Sequence, residues 1–110
     1  MNRIDYTRCL NLSRLIKKGM SAVEDGGYNW DLRTATIAEN RYKKWLYLCM
    51  KYGPQNIEID KLQDLFWHLH ILDTKNYVID CQNIFGYFLH HELYPKSDQK
   101  TKITWEEITL

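Results

Sequence analysis

All four histidines of this chain stand in two pairs, in Trp67-His68-Leu69-His70 and in His90-His91, with Asp73, Tyr77, Asp80 and Cys81 between them. Imidazole, carboxylate and thiolate are the donors that zinc and iron take, so this stretch has the composition of a metal site. The narrowest ligand sets are His68 or His70 with Asp73, and His91 with a carboxylate distant in sequence. A second chemistry, a nucleophilic pair, would join Cys81 to His70 or His91. Structural roles compete with both: Asp73 as a helix cap, Asp80 as an acceptor for a neighbouring helix, and His91 against the negative end of its own helix.

Whether these residues meet depends on the elements that carry them. The apolar residues recur at helical spacing between glycine and proline punctuation, and no segment alternates as a strand would. The expected fold is therefore all-α, a compact bundle of about four main helices with a short C-terminal tail. The first helix is expected over about Asp5 to Glu24, with Tyr6, Cys9, Leu10, Ile16, Met20 and Val23 near one face, stopped by Gly26-Gly27. The second is expected over Thr34 to Tyr52, presenting Ala38, Tyr42, Trp45, Cys49 and Tyr52 and ended by Gly53-Pro54. Asp60 can cap a third, with Leu62, Leu65, Phe66 and Leu69 inward, and Asp73 a fourth that reaches about His91. Thr104-Trp105-Glu106-Glu107 matches a capping box, with little chain left for a helix.

Two geometric tests follow. Residues two apart on a helix are turned by about 200°, so His68 and His70 point to nearly opposite sides. At 1.5 Å per residue, a helix from Asp73 to His91 is about 27 Å long, which would hold the two histidine pairs at opposite ends. On that fourth helix Tyr77, Cys81, Ile84, Phe85 and Phe88 form the apolar face, with Asp73, Asp80 and His91 along its edge. Cys81 in the middle of such a face is expected to carry a protonated, inert thiol. Trp45, Phe66, Trp67, Tyr77, Phe85 and Phe88 are the aromatic residues expected in or near the core.

Trp67-His68-x-His70-x-x-Asp73, Tyr77, Asp80-Cys81, Phe85-Gly86 and Leu89-His90-His91 resemble the glycine-rich-domain-protein-like family. Tyr42-x-x-x-Leu46-x-Leu48 and the Ile59-Asp60 step fit the same pattern. The resemblance covers about residues 30–94, leaving residues 1–27 outside it as an N-terminal helix and residues 95–110 as a tail. It implies a helical domain and a set of positions to test, without an established reaction. The sequence departs from the family where Glu92-Leu93-Tyr94-Pro95 follows the histidine pair, and the glycine-rich tail is absent.

At 110 residues the chain is the size of one domain, and folding can bury about two-thirds of its surface. Four Trp, eight Tyr and three Phe argue against disorder. Fifteen Lys plus Arg against fourteen Asp plus Glu give a net charge of +1, which provides no field to gather nucleic acid or an anionic membrane. Arg14, Lys17 and Lys18, and likewise Arg41, Lys43 and Lys44, read as solvated helix faces. No secretory leader, membrane span or paired-cysteine motif is evident, so Cys9, Cys49 and Cys81 are expected as small buried hydrophobes in a reducing cytoplasm.

No phosphate loop or nucleophile elbow is present. The leading expectation is a non-enzymatic protein-interaction or regulatory module, with a protein partner or a second copy of the chain. One alternative is a zinc- or iron-binding protein or small metal-dependent enzyme using His68, His70, Asp73 or His91. Another is a small inhibitor docking on a larger enzyme.

Overall fold

In a computed structural model, which describes residues 1–91, the order of elements is α1 Arg3–Arg8, α2 Ser13–Met20, α3 Leu32–Tyr52, α4 Lys61–Leu72 and α5 Thr74–Ile84, with 3-10 turns at Val23–Asp25 and Pro54–Asn56. The all-α expectation holds, and no strand element occurs among the described residues. The tail over residues 95–110, its capping-box match, and the departure at Glu92-Leu93-Tyr94-Pro95 lie outside the described residues.

The long α3 is the central element. It starts where Asp31 accepts the Thr34 N–H at 2.7 Å and stops at Gly53, whose φ of 91° most side chains would resist. It packs against α1, α2 and α4, and its inward residues Ala38, Tyr42, Trp45, Leu46, Leu48 and Cys49 are buried. α4 begins with a reciprocal capping box. Asp60 accepts the Gln63 N–H and Gln63 accepts the Asp60 N–H, each at 2.8 Å. The Gln63 side chain, fully buried, also donates to the Arg41 carbonyl of α3 at 3.1 Å. This one residue therefore fixes both the start of α4 and its height along α3.

Two helices differ from expectation. The first is broken in two, because Asn11 accepts the Ser13 N–H at 3.0 Å and so offers the backbone a partner outside the helical ladder. The break turns Leu12 and Leu15 inward and leaves Cys9, Met20 and Val23 exposed, contrary to the continuous face expected. Cys49 and Cys81 are buried.

The second difference decides the site. α5 ends at Ile84, seven residues before His91. Gly86 adopts φ 83°, and its N–H closes onto the Cys81 and Gln82 carbonyls at 3.2 and 3.0 Å, the glycine-terminated end of a helix. A Cβ at Gly86 would also meet the Arg3 guanidinium at 2.6 Å. The chain turns there and returns towards α4, so Phe88 is exposed and Phe85 only partly buried, while Trp45, Phe66, Trp67 and Tyr77 are in the core.

Four of the basic residues on the first two expected helices bind within the chain. Arg14 pairs with Asp73 and Arg41 with Asp60, while Lys18 donates to the Asp25 carbonyl and Lys43 to that of Arg8.

Gly86→Ala places a Cβ in the left-handed region, and is expected to lower the unfolding free energy by about 1–2 kcal/mol in urea titration. Unchanged stability would show that the turn at the end of α5 does not depend on glycine.

Candidate functional site

α4 carries His68 and His70 on opposite sides, and the two histidines meet different surroundings. His70 is 1% exposed. Its Nδ1 lies 2.7 Å from the Tyr42 hydroxyl of α3 and its Nε2 2.8 Å from Asp80 Oδ2 of α5. Asp80 Oδ1 accepts from the Tyr6 hydroxyl of α1 at 2.7 Å. Burial holds the Tyr42 hydroxyl well above its ordinary pKa, so it stays protonated and donates to Nδ1. The hydrogen-bond network therefore assigns the His70 proton to Nε2, donated to Asp80.

The order carboxylate, imidazole, hydroxyl is that of a nucleophilic triad, but Tyr42 is completely buried and no substrate reaches it. Both ring nitrogens of His70 are taken by these hydrogen bonds, and His70 is not among the residues whose donor atoms converge. Asp80 likewise serves as an acceptor between helices.

Asp73 also lies outside the group of converging donor atoms. It occupies the N-cap position of α5 without accepting a backbone N–H. Its carboxylate accepts from Arg14 Nε at 2.6 Å and from Asn76 Nδ2 at 3.1 Å. Partial burial would raise its pKa, but the Arg14 and Asn76 hydrogen bonds outweigh this and hold the carboxyl below its ordinary value. Cys81 is buried in the core, and desolvation pushes its thiol up, away from the reactive thiolate.

His68 meets different neighbours. It lies one helical turn beyond Asp64 on the same face of α4, and the return of the chain after Gly86 brings His91 to both. His91 Nε2 is 2.8 Å from Asp64 Oδ1 and 3.1 Å from His68 Nε2, while His68 Nε2 is 3.8 Å from Asp64 Oδ2. One ligand atom from each residue lies within 4.8 Å of the other two. The expectation that a straight helix separates the two histidine pairs fails because α5 ends early. His91 therefore does not interact with the end of its own helix, and His90 turns outward with its ring edge-on to Phe88.

Trp67 forms the floor of the cluster. Its ring centroid is 4.2 Å from that of His91, and its Nε1–H donates to the Tyr77 hydroxyl at 2.9 Å. The Tyr77 hydroxyl in turn donates to the Leu89 carbonyl. Burial raises the Tyr77 pKa, which keeps that proton in place. Trp67, Tyr77 and Leu89 thus fix the register in which His91 arrives.

Asp64, Tyr42 and Tyr6 were absent from the sequence-based set. Asp64-x-x-x-His68 is a readable signal, since residues four apart share a helix face. Tyr42 and Tyr6 carry no such signal beyond lying on apolar faces.

Two substitutions test these roles. Asp80→Ala strands the buried Nε2–H of His70, with an expected loss of about 2–3 kcal/mol in chemical denaturation, whereas Asp80→Asn, which keeps an acceptor, should lose less. Folding favours the ionised form of Asp73, so its contribution is complete above the ordinary carboxyl value of 3.8 and vanishes as pH falls through the lower folded-state value. Arg14→Ala should accordingly cost about 0.5–1 kcal/mol at neutral pH and less at an acid pH below 3.8, where the Asp73 charge is being lost. Equal losses at the two pH values would remove the charge from the explanation.

No curated protein and no solved structure matches the chain. A family model described as UCP032817-like matches residues 6–102, reaching back into α1, whereas the resemblance read from the histidine motif began at about Trp30. That match carries a different name from the glycine-rich-domain-protein-like family and lends no support to that naming. Its description names no reaction, ligand or partner. On a match that spans α1 to α5 and most of the sequence, the chain belongs to the UCP032817-like family.

Proposed function

We propose that the protein binds a divalent transition metal ion, of which zinc is the natural probe, through Asp64, His68 and His91. The observation that carries this reading is the convergence of three donor atoms on one point at the surface. Two donors 2.0–2.2 Å from a tetrahedral zinc are about 3.3–3.6 Å apart. Here His91 Nε2 lies 2.8 Å from Asp64 Oδ1 and 3.1 Å from His68 Nε2, while His68 Nε2 lies 3.8 Å from the other carboxylate oxygen, Asp64 Oδ2; one donor atom from each residue falls within 4.8 Å of the other two.

Hydrogen bonding alone serves the cluster poorly. A proton on His91 Nε2 has one in-plane direction, yet that nitrogen faces both Asp64 Oδ1 and His68 Nε2. A cation at the common centre satisfies the three lone pairs together. Two imidazoles and one carboxylate suit zinc or ferrous iron, and three protein donors leave a coordination position free for water or a small ligand. The side chains are 44%, 29% and 26% exposed for His68, Asp64 and His91, which leaves that position open to solvent.

A second reading, the interaction module or inhibitor, draws on a different surface. Leu72 at the end of α4 and Val78 and Ile79 within α5 are 73%, 52% and 56% exposed. Large apolar side chains left exposed in this way are candidates for burial against a protein partner or a second copy.

Calorimetric titration of untagged protein with zinc is expected to give one site with a Kd on the order of micromolar or below. His91→Ala and Asp64→Asn should each weaken it by about tenfold or more, and His90→Ala should leave it unchanged. Absence of zinc binding, or binding indifferent to both substitutions, would dismiss the site.

A further inference from the structure

We infer that the metal site acts as a clasp: an ion held by Asp64, His68 and His91 closes the segment over residues 85–91 onto α4, and loss of the ion releases it. The inference rests on the metal-binding reading and adds to it a form of regulation.

The three donors differ in how they are held. Asp64 and His68 belong to one turn of α4 and keep their spacing whatever the rest of the chain does. His91 arrives on a segment beyond the last helical hydrogen bonds of α5, those given by the Phe85 and Gly86 N–H groups. That segment is held by side-chain contacts rather than by a helical ladder. Leu89 is buried and its carbonyl accepts from Tyr77, the Phe88 ring stands edge-on to that of Tyr77, and the His91 ring lies on Trp67 with Nε2 beside Asp64. Tyr87, Phe88 and His90 are exposed.

A closed segment gives the ion three protein donors and an open one gives it two. The ion therefore binds the closed arrangement more tightly and shifts the population towards it by the ratio of the two affinities. Opening would uncover Trp67, 7% exposed when covered by the segment and packed on Trp45 with ring centroids 4.6 Å apart. The ion concentration would thus be converted into the exposure of an aromatic surface on α4.

Hydrogen–deuterium exchange of the full chain with and without saturating zinc, alongside calorimetry on the same samples, tests the clasp. Exchange over residues 86–91 is expected to slow by about tenfold or more on zinc binding, while α3 changes little. His91→Ala should abolish the selective slowing, and Asp64→Asn, which leaves the segment itself intact, should reduce it in step with zinc affinity. Zinc binding without selective slowing, or slowing spread evenly over all helices, overturns the clasp and leaves the metal-binding reading standing. No zinc binding overturns both.

Discussion

His70 sits where four helices meet, and its two ring nitrogens fix how they can be arranged. Nδ1 takes the Tyr42 hydroxyl from α3, Nε2 gives its proton to Asp80 on α5, and Asp80 also takes the Tyr6 hydroxyl from α1. Tyr42, His70 and Asp80 are buried and Tyr6 is partly exposed, and an unmatched partner among the buried groups costs far more than the bond contributes when made. The chain of bonds therefore selects one rotation of α4 about its axis. Apolar packing against α3 by Phe66 and Leu69 would tolerate small rotations, but hydrogen bonds of 2.7–2.8 Å do not. With the phase of α4 set in this way, Asp64 and His68 face outward as a pair, displaced from each other by only about 40° around the helix.

Position rather than residue type then separates the two polar clusters. Both contain an imidazole and an aspartate less than 3 Å apart. In the buried one both ring nitrogens of His70 and both carboxylate oxygens of Asp80 have a partner on another helix, which makes the network part of what specifies the fold. In the outer one, three acceptors converge with fewer protons than contacts, beside solvent, which is the condition under which an ion gains most.

Much of this architecture is legible in the sequence because it rests on local rules. Asp60 as a cap, Gly53 before Pro54, and the inward spacing of Tyr42, Trp45 and Cys49 all declare their helices, and the opposition of His68 and His70 follows from helical pitch alone. The break at Asn11 is hidden because an asparagine side chain competing for one backbone N–H leaves no mark in the apolar pattern. The end of α5 is a different kind of failure. Phe85-Gly86 is visible as a helix terminator, yet the apolar positions Phe85 and Phe88 continue the helical spacing and support a longer helix. Periodicity argues for the longer helix, whereas in the fold the left-handed Gly86 governs.

That one residue brings Asp64 and His91 together. If α5 continued to His91, the second histidine pair would lie far from α4, and no carboxylate on the first turns of α4 would enter a ligand set. Once the chain reverses at Gly86, the distance from Tyr77 to Leu89 becomes a single hydrogen bond, and Trp67, bonded to the same hydroxyl, supplies the surface on which the His91 ring settles. Tyr77 is thus the register mark of the return: its hydroxyl accepts from α4 and donates to the returning strand of chain, so the two cannot slide past each other without breaking a buried bond. The convergence of Asp64, His68 and His91 is a consequence of that register, and the Trp67-to-His91 spacing of the sequence acquires its meaning from a turn and a tyrosine rather than from the histidines themselves.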